Sequence, residues 1–238
     1  MALERIKSWK DIKIGNYRRD INYTFDYIMD LSERNNLRST FYFKTSCTNP
    51  CYDDNYSIKH PYIRQLLQDI YDRGHVIGLH PSYETYLSLE QIQEEFYRLL
   101  LVCEEEGIKQ ERWGGRQHYL RWKVPITWRN WAQAGLDYDS SLAYAEHAGF
   151  RCGICYEYPV YDLEQRKILS LFERPLVVME GSVMGKQYMN LSGENALNYI
   201  LMLKDRCCLF DGNFTLLWHN SYLIEPEQRE IYKTIVGK

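Results

Sequence analysis

Short apolar runs that stop abruptly at a polar residue alternate along this chain with segments of helical period. The stretch GHVIGLHPSYETY (Gly74–Tyr86) shows the first kind: Val76, Ile77 and Leu79 make a strand-like run, and His80-Pro81 halts it. Proline lacks the N–H that a ladder needs, so the strand ends there. STFYF (Ser39–Phe43), LDYDSSLAY (Leu136–Tyr144), PLVVMEGSV (Pro175–Val183) and NFTLLWHN (Asn213–Asn220) read as further strands. Between them lie helical patterns. Phe25, Ile28, Met29 and Leu31 repeat at helical spacing before Asn35-Asn36, and Ile63, Leu66, Leu67 and Ile70 do so before Gly74. SLEQIQEEFYRLLLVCEEEG opens on Ser88 as N-cap with Gln91 three residues on, and helices are also expected near Pro125–Gly135 and over GENALNYILMLKDR. Residues 1–20 are basic and polar and read as a loop or ragged helix. Strands that alternate with helices specify an α/β fold with a mostly parallel sheet. The 238 residues suit one core, and no repeat or linker divides them, so residues 1–238 are read as a single domain.

Charge and composition exclude several classes. A net charge of -3 gives no electrostatic case for nucleic acid or an anionic membrane surface. No run of apolar residues is long enough to span a bilayer. The start, MALERIKSWKDIK, has no apolar core of a secretion signal, and the seven cysteines are irregularly spaced, so reduced thiols and a cytoplasmic location are expected. The 21 tyrosines and 6 tryptophans suit sugar-binding clefts as well as core.

Three runs end in the same chemistry. HVIGLHP delivers His80, RWGGRQHYL delivers Arg116 and His118, and FTLLWHN delivers His219 and Asn220. In parallel α/β folds the carboxyl ends of strands share one opening, so these residues are expected to converge. Neutral imidazole serves as a metal ligand or as a general acid or base. One histidine at a strand end is commonly a hydrogen-bonded structural residue; three in one chain favour a shared site. His60, His75 and His147 sit at a helix start, a strand start and a loop, where structural roles are expected. Cys152-Gly-Ile-Cys155 has zinc or redox spacing but no second such pair, and Cys47, Cys51 and Cys207-Cys208 do not complete it.

Together STFYF, GHVIGLHPSYETY, GGRQHYLRW, LDYDSSLAYAEHAGFRCG and LLWHN resemble the polysaccharide deacetylase (NodB-homology) superfamily, in a branch associated with bacterial surface polysaccharides. The resemblance runs from about Thr24 to Asn220. It implies a distorted (β/α)7-type barrel, incomplete here, that removes N- or O-acetyl groups from sugars with a divalent metal such as zinc. His80 fills the first place of the family's His-x-x-x-His motif and Glu84 the second, so both are expected as metal ligands, with His118 as a replacement ligand. Arg116 matches the arginine that orients a catalytic carboxylate, and His219 matches the general acid. Tyr83, Trp113 and Trp218 are expected to bind substrate by hydrogen bonding and stacking.

The family's first motif, an acidic pair at the end of the first strand, has no match. YTFDYIMD is similar in letters, but its apolar spacing is helical, so Asp26 and Asp30 are assigned to the first helix. The resemblance implies that the acidic strand would precede Met1, which leaves the catalytic base without a residue. The sheet edge so exposed needs a cover, from residues 1–20 or from a homo-oligomer. The competing readings are a carbohydrate-binding barrel without catalysis, or an enzyme remnant, and a thiol site built on Cys152 and Cys155.

Overall fold

The computed structural model describes residues 12, 13 and 15–237. Most of the segment read as a loop or ragged helix, residues 1–11 and 14, lies outside them. Tyr17–Arg19 forms one 3-10 turn, and Tyr17 packs on Tyr62 with ring centroids 4.5 Å apart.

Strands β1 (Thr40–Phe43), β2 (Val76–Leu79), β3 (Gly114–Gly115), β4 (Tyr138–Asp139), β5 (Tyr158–Asp162) and β6 (Lys167–Glu173) form one sheet in the order β1-β2-β3-β4-β6-β5. All neighbours are parallel except β5, which runs antiparallel to β6. A separate parallel ladder pairs β7 (Val178–Met179) with β8 (Leu216–Leu217). Among the described residues the two ladders do not join into a closed barrel, and β1 is an edge strand. The segment before the first helix reaches β8's exit, where Thr24 Oγ1 donates to Asn220 O (3.1 Å) and Asn220 Nδ2 donates to Asn22 O (3.0 Å).

The register decides what the sheet presents. Phe43 stands opposite Leu79, Leu79 opposite Gly115, Gly115 opposite Asp139, and Asp139 opposite Glu173. The residues that follow this row, Lys44, His80, Arg116 and Ser140, therefore leave the sheet at one level. Gly115 permits the closeness: a Cβ there would overlap Leu79 O, the acceptor of the Arg116 N–H at 3.0 Å.

Helices α1 (Phe25–Arg34), α2 (Pro61–Asp72), α3 (Leu89–Glu105) and α4 (Ile126–Ala134) cover the sheet. The expected cap of α3 is present, Ser88 Oγ accepting from Gln91 N–H, and α4 ends on Gly135 at φ +87°. Leu66, Leu67 and Ile70 of α2 meet Ile77 and Leu79 of β2, Ile92, Leu99 and Val102 of α3, and Trp131 of α4 in one core. Each such aliphatic side chain contributes about 1.5–3 kcal/mol by burial. A second core gathers Val178, Val183 of α5 (Glu180–Met184), Ile200 and Leu203 of α6 (Gly193–Leu209), and Ile231 and Ile235 of α7 (Pro226–Gly237). No described helix is long and apolar enough to cross a membrane.

Asp26 and Asp30 lie on α1, as their spacing indicates, and pair with Arg73 at the end of α2. Three elements differ from the sequence reading. The β5–β6 hairpin went unread because Ile168 and Phe172 point to solvent on β6 while Leu171 and Glu173 are buried, which hides the alternation. PLVVMEGSV is a strand only over Val178–Met179 and turns helical at Glu180. The helix α7, opened by Pro226, was also unread.

Candidate active site

The loop after β2 explains the halted strand. His80 N–H donates the last ladder bond to Phe43 O (2.8 Å), and Pro81 then turns the chain away. Buried Glu95 of α3 receives the Ser82 N–H (2.9 Å) and the Ser82 hydroxyl, and Gln117 Nε2 donates to Thr85 Oγ1 (2.7 Å). Burial raises the Glu95 carboxyl, against the pull of those hydrogen bonds.

Buried Asp53, in the loop after β1, ties three loops together. Its Oδ2 accepts the N–H groups of Thr48 (3.0 Å) and Asn49 (2.9 Å), and its Oδ1 accepts the Tyr83 N–H (2.9 Å) and His118 Nδ1–H (2.8 Å). Despite burial, these bonds hold its carboxyl below the usual value.

His80, His118 and His219 share one arrangement. His80 Nδ1 meets Arg116 O at 2.6 Å, and a carbonyl can only accept, so Nδ1 carries the proton. His118 Nδ1 likewise donates to Asp53, and His219 Nδ1 to Glu180 Oε1, which also accepts the His219 N–H (3.0 Å). Every ring thus keeps its Nε2 for another partner. The rings of His80 and His118 face each other at 4.9 Å. The charge of Lys44 acts on all three imidazoles, and that of Arg116 on His80 and His219.

Their electrostatics divide them. Burial, then the facing His118, pushes His80 down to about 3. Burial, then Lys44, lowers His118 against the pull of Asp53. Both are neutral near pH 7. At half-exposed His219, desolvation alone would lower the value, but the hydrogen bond and charge of Glu180 reverse it and raise the imidazole.

Glu84 corrects the expected ligand set. Its exposed carboxylate pairs with Arg121 Nη1 (2.9 Å) and accepts from Asn49 Nδ2 (3.2 Å), so its charge is committed away from His80. Glu84 is the N-cap of the 3-10 turn Thr85–Leu87. Among the described residues no group of three or more His, Cys, Asp or Glu could hold a metal ion. The residues fit two positions of a divalent metal: His80 and His118 present neutral Nε2 lone pairs, each backed by an acceptor on Nδ1, as metal-ligating histidines are. A third donor is not among them.

Arg116 also differs from expectation. It donates through Nε to Ser140 O (2.8 Å) and through Nη2 to Ser140 Oγ (2.9 Å), and lies over the Tyr42 ring. No described carboxylate forms an ion pair with it. Asp139 and Glu173 are buried; burial raises Asp139 to about 6, burial and the Asp139 charge raise Glu173 well above the usual carboxylate range, and Arg116 pulls both down. Trp113 stands at the amino end of β3, away from the opening, and packs on Phe96. Trp218 packs on Tyr232 of α7. Tyr83 is near the imidazoles, its ring centroid 6.4 Å from that of His118. Cys152 and Cys155 are free thiols. Asp53, Lys44 and Glu180 were not read from the sequence.

No family model matches the chain, and no curated protein matches it. Solved structures do. An inferred polysaccharide deacetylase from Mycobacterium smegmatis superposes with a TM-score of 0.63 at 16% identity, over 99% of this chain and 77% of its own. A second, from Pseudomonas aeruginosa PAO1, gives 0.53 at 14% identity, over 92% and 69%. Puue allantoinase gives 0.56 at 13%, over 91% and 68%. At such identities the likeness is one of fold: the chain shares with these structures an incomplete (β/α)7-type barrel fold.

Proposed function

We propose that this chain is a metal-dependent carbohydrate deacetylase, acting on acetyl groups of a bacterial surface glycan or its precursor. The observation that carries this reading is the common hydrogen-bonding pattern of His80, His118 and His219, each with Nδ1–H committed and Nε2 left for another partner. His80 and His118 would hold a divalent metal such as zinc, which supplies Lewis acidity at the acetyl carbonyl. His219, whose imidazole Glu180 shifts toward the protonated form, would give its Nε2 proton to the departing nitrogen or oxygen of the sugar. Arg116 and Lys44 supply positive charge beside the opening. Tyr83 belongs to the substrate side of the same opening, and a homo-oligomer would cover the outer edge of β1.

One observation favours a second reading, a carbohydrate-binding barrel without catalysis: no third described donor joins His80 and His118. Acetate release from an acetylated oligosaccharide, with zinc added and with chelator, separates the two. The deacetylase reading expects release that stops with chelator and in His219→Ala. Glycan binding without release under any metal condition supports the second.

A further inference from the structure

Beside the imidazole pair, aromatic rings and one guanidinium form a column. Arg121 Cζ lies 4.1 Å from the Tyr86 ring centroid and 3.9 Å from that of Tyr83, and Tyr83 stacks on Tyr52 at 4.2 Å with 19° between planes. Groups that close cannot share one face of Tyr83, so Arg121 covers one side and Tyr52 the other. Tyr83 therefore has no free face for a sugar. Tyr52 does: it ends the column and is 46% exposed. Tyr119 stands edge-on to both Tyr52 (5.5 Å) and Tyr83 (5.4 Å), is 61% exposed, and lies 4.7 Å from the His118 ring.

These rings are fixed in place. Asp53 follows Tyr52, accepts the Tyr83 N–H, and accepts the Nδ1–H of His118, the neighbour of Tyr119. One buried carboxylate thus positions all three tyrosines and one imidazole. Tyr119 and Leu120 also hold left-handed backbone at φ +56° and +53°, a conformation that non-glycine residues keep only where the surroundings demand it. The exposed faces of Tyr52 and Tyr119 lie beside the imidazole pair with nothing of the described chain stacked on them.

We propose that Tyr52 and Tyr119 form a stacking subsite for a pyranose ring adjoining the acetylated sugar, so that the preferred substrate is an oligosaccharide rather than a single sugar. The apolar C–H face of a pyranose extends the column on Tyr52, and Tyr119 borders it on the side of His118. This rests on the carbohydrate reading above and adds the neighbouring-ring requirement to it.

The test is calorimetric titration of the native chain and its variants with the β-1,4-linked tetramer of N-acetylglucosamine, with acetate release from the same tetramer measured in parallel. Tyr52→Ala and Tyr119→Ala are each expected to weaken binding about two- to tenfold. Tyr52→Phe should retain native affinity, and Tyr97→Ala, at a tyrosine on the exposed face of α3, should change nothing. Circular dichroism confirms that each variant is folded. Equal affinity of native, Tyr52→Ala and Tyr119→Ala chains overturns the subsite, as does absence of binding by the native chain. Acetate release with an unaltered KM in Tyr52→Ala removes the subsite and leaves the hydrolase standing. Tyrosine-dependent binding without acetate release keeps the subsite and removes the hydrolase.

Discussion

The imidazoles of His80 and His118 face each other with ring centroids 4.9 Å apart, and each gives its Nδ1–H to an acceptor fixed by the backbone of the barrel mouth. That pairing arises from adjacent strands whose register places Leu79 opposite Gly115, one residue before His80 and three before His118. Neutral imidazoles whose Nδ1–H is committed keep an Nε2 lone pair, and the zinc experiments below test whether the two share a cation.

Metal affinity tests that geometry residue by residue. His80→Ala and His118→Ala should each abolish stoichiometric zinc retention after dialysis, read by elemental analysis. Asp53→Asn leaves the ligands and removes the charge behind His118, so it should weaken binding by about 10–100-fold. Glu84→Ala should leave zinc retention unchanged, because that carboxylate is engaged by Arg121. Zinc loss in Glu84→Ala equal to that in His80→Ala would contradict this assignment.

The His219–Glu180 pair makes a pH prediction. A histidine whose folded pKa is raised contributes stability that is complete below its ordinary value, about 6.5, and is lost as pH rises through the folded value. Glu180→Gln keeps an acceptor but removes the charge. The His219 ring titration followed by NMR should then shift to lower pH, and the alkaline limb of any pH–rate profile should shift with it. A His219 midpoint unmoved by Glu180→Gln would show that the carboxylate does not set it.

Asp139 and Glu173 behave in the opposite chemical sense. Burial favours their protonated forms, and Asp139 titrates near 6 rather than 3.8. The stability this gives is full below the unfolded value and declines as pH rises through about 6. Asp139→Asn should flatten the decline in denaturation free energy between pH 4 and 7. Because Oδ2 of Asp139 has no hydrogen-bond partner, the introduced amide finds none ready, so a flatter slope rather than a more stable protein is the expected result. An unaltered slope would place the titration elsewhere.

The strand ends were legible because an apolar run that stops at His-Pro or at Trp-His-Asn has few places to stop other than the mouth of a parallel sheet. The partners of those histidines were not legible. Asp53 lies 65 residues from His118, and Glu180 lies 39 from His219, in segments whose letters carry no period or cap signal. Glu84 could not be assigned from spacing alone, because its Arg121 and Asn49 partners lie 37 and 35 residues away in the chain. Trp113 misled because a tryptophan near a site motif carries no information about which end of its strand it occupies. The hairpin of β5 and β6 was hidden by exposed Ile168 and Phe172, which broke the polar alternation of an open strand face.

Gly115 offers the most direct check on how the mouth is assembled. A Cβ there overlaps Leu79 O and approaches the Trp131 ring at 3.0 Å. The obstacle is backbone on one side and a fully buried indole on the other, so neither can swing away cheaply. Gly115→Ala should therefore lower the denaturation free energy by about 1–3 kcal/mol, the usual cost of overpacking. It should also push β2 from β3 and separate the paired imidazoles, seen as loss of zinc retention in a chain that still folds. Gly181→Ala is the matched control: it lies in α5 with nothing within 4 Å of the added methyl, and helix propensity favours alanine by up to about 1 kcal/mol. If both variants unfold at the same denaturant concentration as the native chain, the close approach of β2 and β3 is not what holds His80 against His118.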